Sequence, residues 1–185
     1  MSSAEESDDL ERADVGPEHQ SALRLYRRLY LSYNDLEEAK ATVEELLRAR
    51  IPLPRNDLPS PLLMALTTAL VVAYARPFVN TRGQSSFAEK SLPGTLLRVL
   101  MSKQREIHDY LINVRNREVA HSDAEKSEIY LKLYRDGHGA ILRVARSPFR
   151  RAELRSIHRI VSKLMDEVDR RCADLRDVLP QEVWM

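Results

Sequence analysis

Ser60-Pro61-Leu62-Leu63-Met64-Ala65-Leu66-Thr67-Thr68-Ala69-Leu70-Val71-Val72-Ala73-Tyr74-Ala75 is the stretch whose reading decides the fold. Ser60 offers a hydroxyl to the free N–H groups of a helix start. Pro61 fits the first turn, where its missing N–H costs nothing. From Leu62 to Ala75 the segment is apolar nearly all round, so it has no wet face and needs neighbours on several sides. The run is too short to cross a bilayer, which leaves the centre of a helical bundle as its place. Pro77 disfavours helical geometry at Arg76, so the helix ends or kinks there and sets Arg76 beside the core.

The flanking segments supply the neighbours. Upstream, Pro17 to Arg50 reads as a first helix, with Tyr26, Leu29, Tyr33, Leu36, Val43 and Leu47 along one stripe at spacings of three, four or their sum. Lys40 interrupts that stripe and can snorkel at its edge. Ile51 to Pro59 holds three prolines and is a loop. Downstream, Asn80 to Lys90 is a polar loop. A third helix is expected from about Ser91–Pro93 to His121, with the stripe Leu96, Leu100, Ile107, Leu111 and Val114. Ile129 to Tyr134 alternates, Asp136-Gly137-His138-Gly139 is a turn, and Ala140 to Ala145 is a second short strand. Ser147 and Pro148 open a fourth helix marked by Leu154, Ile157, Val161, Leu164, Val168, Cys172, Leu175 and Leu179, and Pro180 stops it. The expected fold is mainly α: a four-helix up-down bundle over residues 17–180, with a small β-hairpin between its third and fourth helices. Residues 1–16 read as a disordered acidic tail and residues 181–185 as a C-terminal tail.

Composition narrows the function. The 185 residues are 43% hydrophobic and 31% charged, which suits a soluble domain with a full core. A net charge of +1 means that any nucleic acid is held by a local patch and not by bulk charge. The single Cys172 excludes an internal disulfide framework and fits a reducing cytosol, so a cytoplasmic protein without a membrane partner is expected. Cys172 lies on the fourth stripe and reads as a buried structural thiol. No set of His, Cys, Asp or Glu has convincing metal-ligand spacing, and no Gly-rich phosphate loop or Ser nucleophile motif is present; no metal or cofactor is expected.

Where the third stripe becomes polar, Val114-Arg115-Asn116-Arg117-Glu118-Val119-Ala120-His121-Ser122-Asp123 collects a different chemistry. Arg115 is a planar cationic fork suited to phosphate, and His121 is a proton carrier near neutral pH. On an ideal helix six residues advance about 600° and rise about 9 Å, so the two side chains point about 120° apart. One copy on a straight helix makes no compact site. Either the helix loosens, or a second chain contributes its own copy. A two-fold contact along Leu111, Val114, Glu118 and His121 gathers both pairs into one cleft, which is the reason to expect a homodimer.

The run Arg115-Asn116, three residues, then Ala120-His121 resembles the signature of the HEPN superfamily: an Arg followed by a polar residue, with a His four to six positions on. The string from Val114 to Asp123 is similar to HEPN proteins of the abortive-infection and toxin type. Tyr74 to Phe78, ahead of Arg82 and Gly83, also resembles such proteins. The resemblance implies metal-independent RNA cleavage. Arg115 holds the scissile phosphate, His121 serves as general base or acid for 2′-OH attack, and Asn116 orients them. The products then carry a cyclic phosphate, and DNA is inert because it lacks the hydroxyl. Arg117 adds phosphate affinity, and Arg76 and Arg82 are candidates for the cleft wall. The implied partners are RNA, a second copy of the chain, and a cognate antitoxin or nucleotidyltransferase of a toxin or phage-defence system. The competing reading keeps the HEPN-like fold as a non-catalytic helical module for protein or RNA binding.

Overall fold

A computed structural model of the chain describes residues 16–49, 60–80, 87–116, 129–133, 140–144 and 149–180. Among these residues the protein is mainly helical, with four α-helices: α1 (Pro17–Arg48), α2 (Pro61–Ala75), α3 (Ser102–Val114) and α4 (Arg151–Arg176). Helix α1 packs against α2 and most extensively against α4, and α3 touches both α2 and α4. The ring of contacts closes around one apolar core.

The start of α2 follows from its sequence. The Ser60 hydroxyl accepts a hydrogen bond from the Leu63 N–H at 3.1 Å, and Pro61 occupies the first turn. Leu63, Leu70, Val71, Ala73, Tyr74 and Ala75 are buried, while Leu62 near the helix start is 60% exposed. Pro77 ends the helix at Ala75, and Arg76–Phe78 forms a 3-10 turn. Stopped at Ala75, the apolar run is short for a bilayer. Carried through the turn, Pro61–Phe78 makes 18 residues, long and apolar enough by length and composition to cross a membrane, and the one such segment among the described residues.

In α1 the fully buried positions Leu29, Leu36 and Val43 repeat at seven residues, with Ala39 and Leu46 one turn on. Tyr26, Tyr33 and Leu47 pack partly buried beside this core. In α4 every expected position from Leu154 to Cys172 is buried, and Ile160 and Met165 widen the stripe. The helix begins at Arg151, later than the Ser147-Pro148 start that the sequence suggests; both of those residues lie outside the described ones. Glu153 provides the cap instead, accepting from the Arg150 N–H at 2.6 Å.

The expected third helix is divided. Gly94–Val99 is a 3-10 turn, Leu100 is extended at φ −86° and ψ 132°, and α3 begins only at Ser102. The break is locally satisfied. The Gln104 side chain accepts from the Met101 N–H at 3.1 Å, and the Arg105 guanidinium donates to the Leu97 carbonyl at 2.9 Å. Arg171 ties the turn to α4, bonding Thr95 at 3.1 Å and Glu167 at 2.7 Å. Beyond α3, Ile129–Leu133 (β1) and Ala140–Val144 (β2) pair antiparallel, with Ile129 opposite Val144 and Leu133 opposite Ala140. The expected turn between them lies outside the described residues.

Candidate functional site

Helix α3 runs antiparallel to α4. Gln104 near its start meets Lys163, while Tyr110 near its end packs against Phe149 with ring centroids 6.3 Å apart. Arg115 therefore sits beyond the N-terminal end of α4. Arg115 follows α3 with ordinary helical backbone, φ −57° and ψ −48°, its N–H bonded to the Leu111 and Ile112 carbonyls. Nη1 of Arg115 donates to Oδ1 of Asn116 at 3.0 Å. Arg115 is half-buried and meets no carboxylate among the described residues, so its charge is not cancelled by an ion pair there.

Arg76 is placed differently. It is exposed at the end of α2 and bonded by Glu38 at 2.6 Å and Asp35 at 3.3 Å, both on α1. Nη1 donates to both carboxylates, and Arg76 works as a tie between α1 and α2. Burial pushes the Asp35 carboxyl up, and the bond from Arg76 counters that. Arg117, His121 and Arg82 lie outside the described residues.

The supposed two-fold seam needs correction. Leu111 is fully buried in the chain's own core, and Val114 is packed against that core. Leu111 is thereby closed to a partner copy, Val114 is half-buried, and Glu118 and His121 of the expected seam lie outside the described residues. The solvent-exposed face of α3 carries Glu106, Asp109 and Tyr110 instead, with Tyr110 55% exposed. A groove of about 250 Å³ lies there, between Glu106, Ile107 and Tyr110 of α3 and Phe149, Glu153 and Ile157 on the α4 side.

His108 of α3 is turned into the core. It is 4% exposed, hydrogen-bonded through Nδ1 to the Tyr74 hydroxyl at 2.8 Å and edge-on to the Phe78 ring at 4.7 Å. Burial holds its imidazole below the ordinary histidine value and pushes the Tyr74 phenol up. Arg28 is also buried, and its Nη2 donates to the Arg76 carbonyl at 2.7 Å, satisfying a backbone group that the end of α2 leaves free. These groups hold helix ends together and face away from solvent.

A second cationic feature was not picked out from the sequence. Between α1 and α4 a groove of about 410 Å³ is lined by Glu44, Leu47 and Arg48 on one side and Arg155, His158 and Arg159 on the other. His158 Nε2 lies 3.0 Å from Glu44 Oε1, and that bond holds the Glu44 carboxyl below its ordinary value. The signal available in the sequence was Arg151, Arg155 and Arg159 at a four-residue spacing, one row on a helix. Cys172 is buried, and burial pushes its thiol up, away from nucleophile chemistry.

No family model, curated protein or solved structure matches this chain.

Proposed function

We propose that the protein is a dimeric HEPN-type ribonuclease that cuts RNA through attack of a ribose 2′-OH, without a metal. The fold belonging to this reading is the up-down four-helix bundle, with the β1–β2 pair as a hairpin elaboration between its third and fourth helices. The observation that carries the reading is Arg115: a half-buried guanidinium at the end of α3, oriented by Asn116 and free of carboxylates among the described residues. A fork in that state is suited to a phosphate, whose two oxygens match its parallel donors. Contrast with Arg76, already held by Asp35 and Glu38, makes Arg115 the cation of choice.

In this mechanism Arg115 holds the scissile phosphate and stabilises the charge gathering on its oxygens. His121 takes the 2′-OH proton or delivers one to the leaving 5′ oxygen. Arg117 and Arg82 add phosphate affinity, and Arg76 keeps only a structural share. A second copy brings its own Arg115 and His121, meeting the first across the outer face of α3 and the chain beyond Asn116. A cytoplasmic setting and a role as a toxin or phage-defence effector, restrained by an antitoxin or nucleotidyltransferase, complete the reading.

The test is cleavage of a labelled RNA by purified protein in the presence of a chelator. Wild-type protein should leave 2′,3′-cyclic phosphate ends, and the all-deoxy strand should stay intact. Arg115→Ala should lower the rate by about 100- to 1,000-fold, and His121→Ala by roughly 100- to 10,000-fold. Full activity in either variant, with contaminating nuclease excluded, sinks the proposal. A monomer in sedimentation equilibrium at the active concentration removes the shared cleft.

A further inference from the structure

The α1/α4 groove carries more positive charge than the fold uses. Arg151, Arg155 and Arg159 are exposed and form one row on α4, and none makes a hydrogen bond or ion pair among the described residues. Successive members are separated by about 6 Å along the helix axis, so the row spans about 12 Å. Arg48 closes the opposite wall from the end of α1. Glu45 binds Arg48 at 2.7 Å and Glu44 binds His158, so the acids of this region are engaged, while the α4 row is left uncompensated.

The fold gains nothing electrostatically from this placement. Arg151 lies in the first turn of α4, where a cation opposes the positive end of the helix; Arg155 and Arg159 lie beyond the reach of that effect. Exposed arginines are tolerated singly as a solvated face, but three in register beside a concave surface make a local field of one sign. Further along α4, Arg170 is paired with Glu167 and Asp174, and Arg171 with Glu167, while Arg176 in the last turn stands alone without an ion pair among the described residues. Only the half of α4 that lines the groove carries the bare row.

We infer that the α1/α4 groove, walled by Arg48, Arg155 and Arg159 and continued along α4 by Arg151, is a docking track for the phosphate backbone of single-stranded RNA. The occupant follows from charge and shape. A row of evenly spaced guanidinium groups fits a linear polyanion, and each planar fork prefers phosphate. The row climbs towards the end of α4 beside which Arg115 lies. The choice of RNA rests on the ribonuclease reading of Arg115; the track itself does not.

The test measures binding of a fluorescein-labelled 2′-O-methyl oligouridylate of twelve nucleotides to the full chain, by anisotropy across a salt series. This probe lacks the attacking hydroxyl, so binding is read without cleavage. Arg155→Ala with Arg159→Ala should weaken binding on the order of tenfold or more at about 0.1 M salt. It should also flatten the log–log salt slope by about 1.4, two contacts at ~0.7 each. Arg155→Lys with Arg159→Lys, which keeps the charge, should retain most of the slope. Both residues are exposed, and unchanged thermal unfolding will show that the alanine variant is folded. Unchanged affinity and slope in the alanine variant overturn the track. So does polyglutamate that binds wild type with the oligouridylate unable to displace it, because the groove then takes an acidic peptide. If the alanine variant loses the probe while wild-type protein cuts no RNA, the track stands and the nuclease reading falls.

Discussion

At the scale of single residues, Tyr74 and His108 show what a polar pair costs and contributes inside an apolar core. Each is buried, and their 2.8 Å hydrogen bond is the reason that burial is tolerable. Tyr74→Phe removes one partner and leaves Nδ1 of His108 bare, which should destabilise the protein by about 1–3 kcal/mol in urea unfolding. The same site gives a pH dependence. Burial lowers the folded-state value of His108 below the 6.5 of a free histidine. As pH falls, the unfolded chain takes up a proton before the folded one does, so stability from this group is whole above about pH 6.5 and declines below it. Urea unfolding between pH 7.5 and 5 should show that decline in wild-type protein, and His108→Gln should make it shallower. An equal decline in the variant assigns the pH dependence to other groups.

At the scale of elements, α3 is the instructive case. Leu96, Leu100, Ile107 and Leu111 keep a helical period straight through a backbone that is not helical at Leu100. Periodicity reports which side chains face the core, and an extended residue between two helical pieces can preserve that facing. The break was written instead in Gln104, three residues after Met101, a capping signal that the longer stripe concealed. Gln104→Ala should free the Met101 N–H and cost about 1 kcal/mol in thermal or urea unfolding, with the helix content of the rest unchanged. No change in stability means that water replaces the cap without loss. The α2 start, by contrast, was fully legible, because Ser60 and Pro61 act within four residues. The α4 stripe was legible from Leu154 to Cys172 because a long helix averages over local exceptions.

The candidate site was legible in kind but not in geometry. Arg115 and Asn116 stand out by type and order, yet spacing alone does not tell how Arg115 is held, and His121 lies outside the described residues. Arg76 and Arg115 look alike as letters. Only the three-dimensional neighbours, Asp35 and Glu38 for one and Asn116 for the other, separate a strut from an open fork. The Leu111 seam failed for a related reason: an apolar stripe says that a face is covered, not whether its own chain or another covers it.

At the scale of the whole molecule, a net charge of +1 conceals an uneven surface, with Arg170 and Arg171 paired late in α4 and a bare arginine row at its start. The helices that carry the row and the groove also hold the core closed. Cys172, the only sulfhydryl of the chain, is buried in that core on α4. A colour reagent for thiols can thus time how often the helices part. Modification in native buffer should run at least about a hundredfold slower than in denaturant, the ratio expected if the core opens against roughly 3 kcal/mol. Equal rates would mean that α4 swings free on its own. Any partner that clamps the two helices together should slow the clock further, without touching the sulfur.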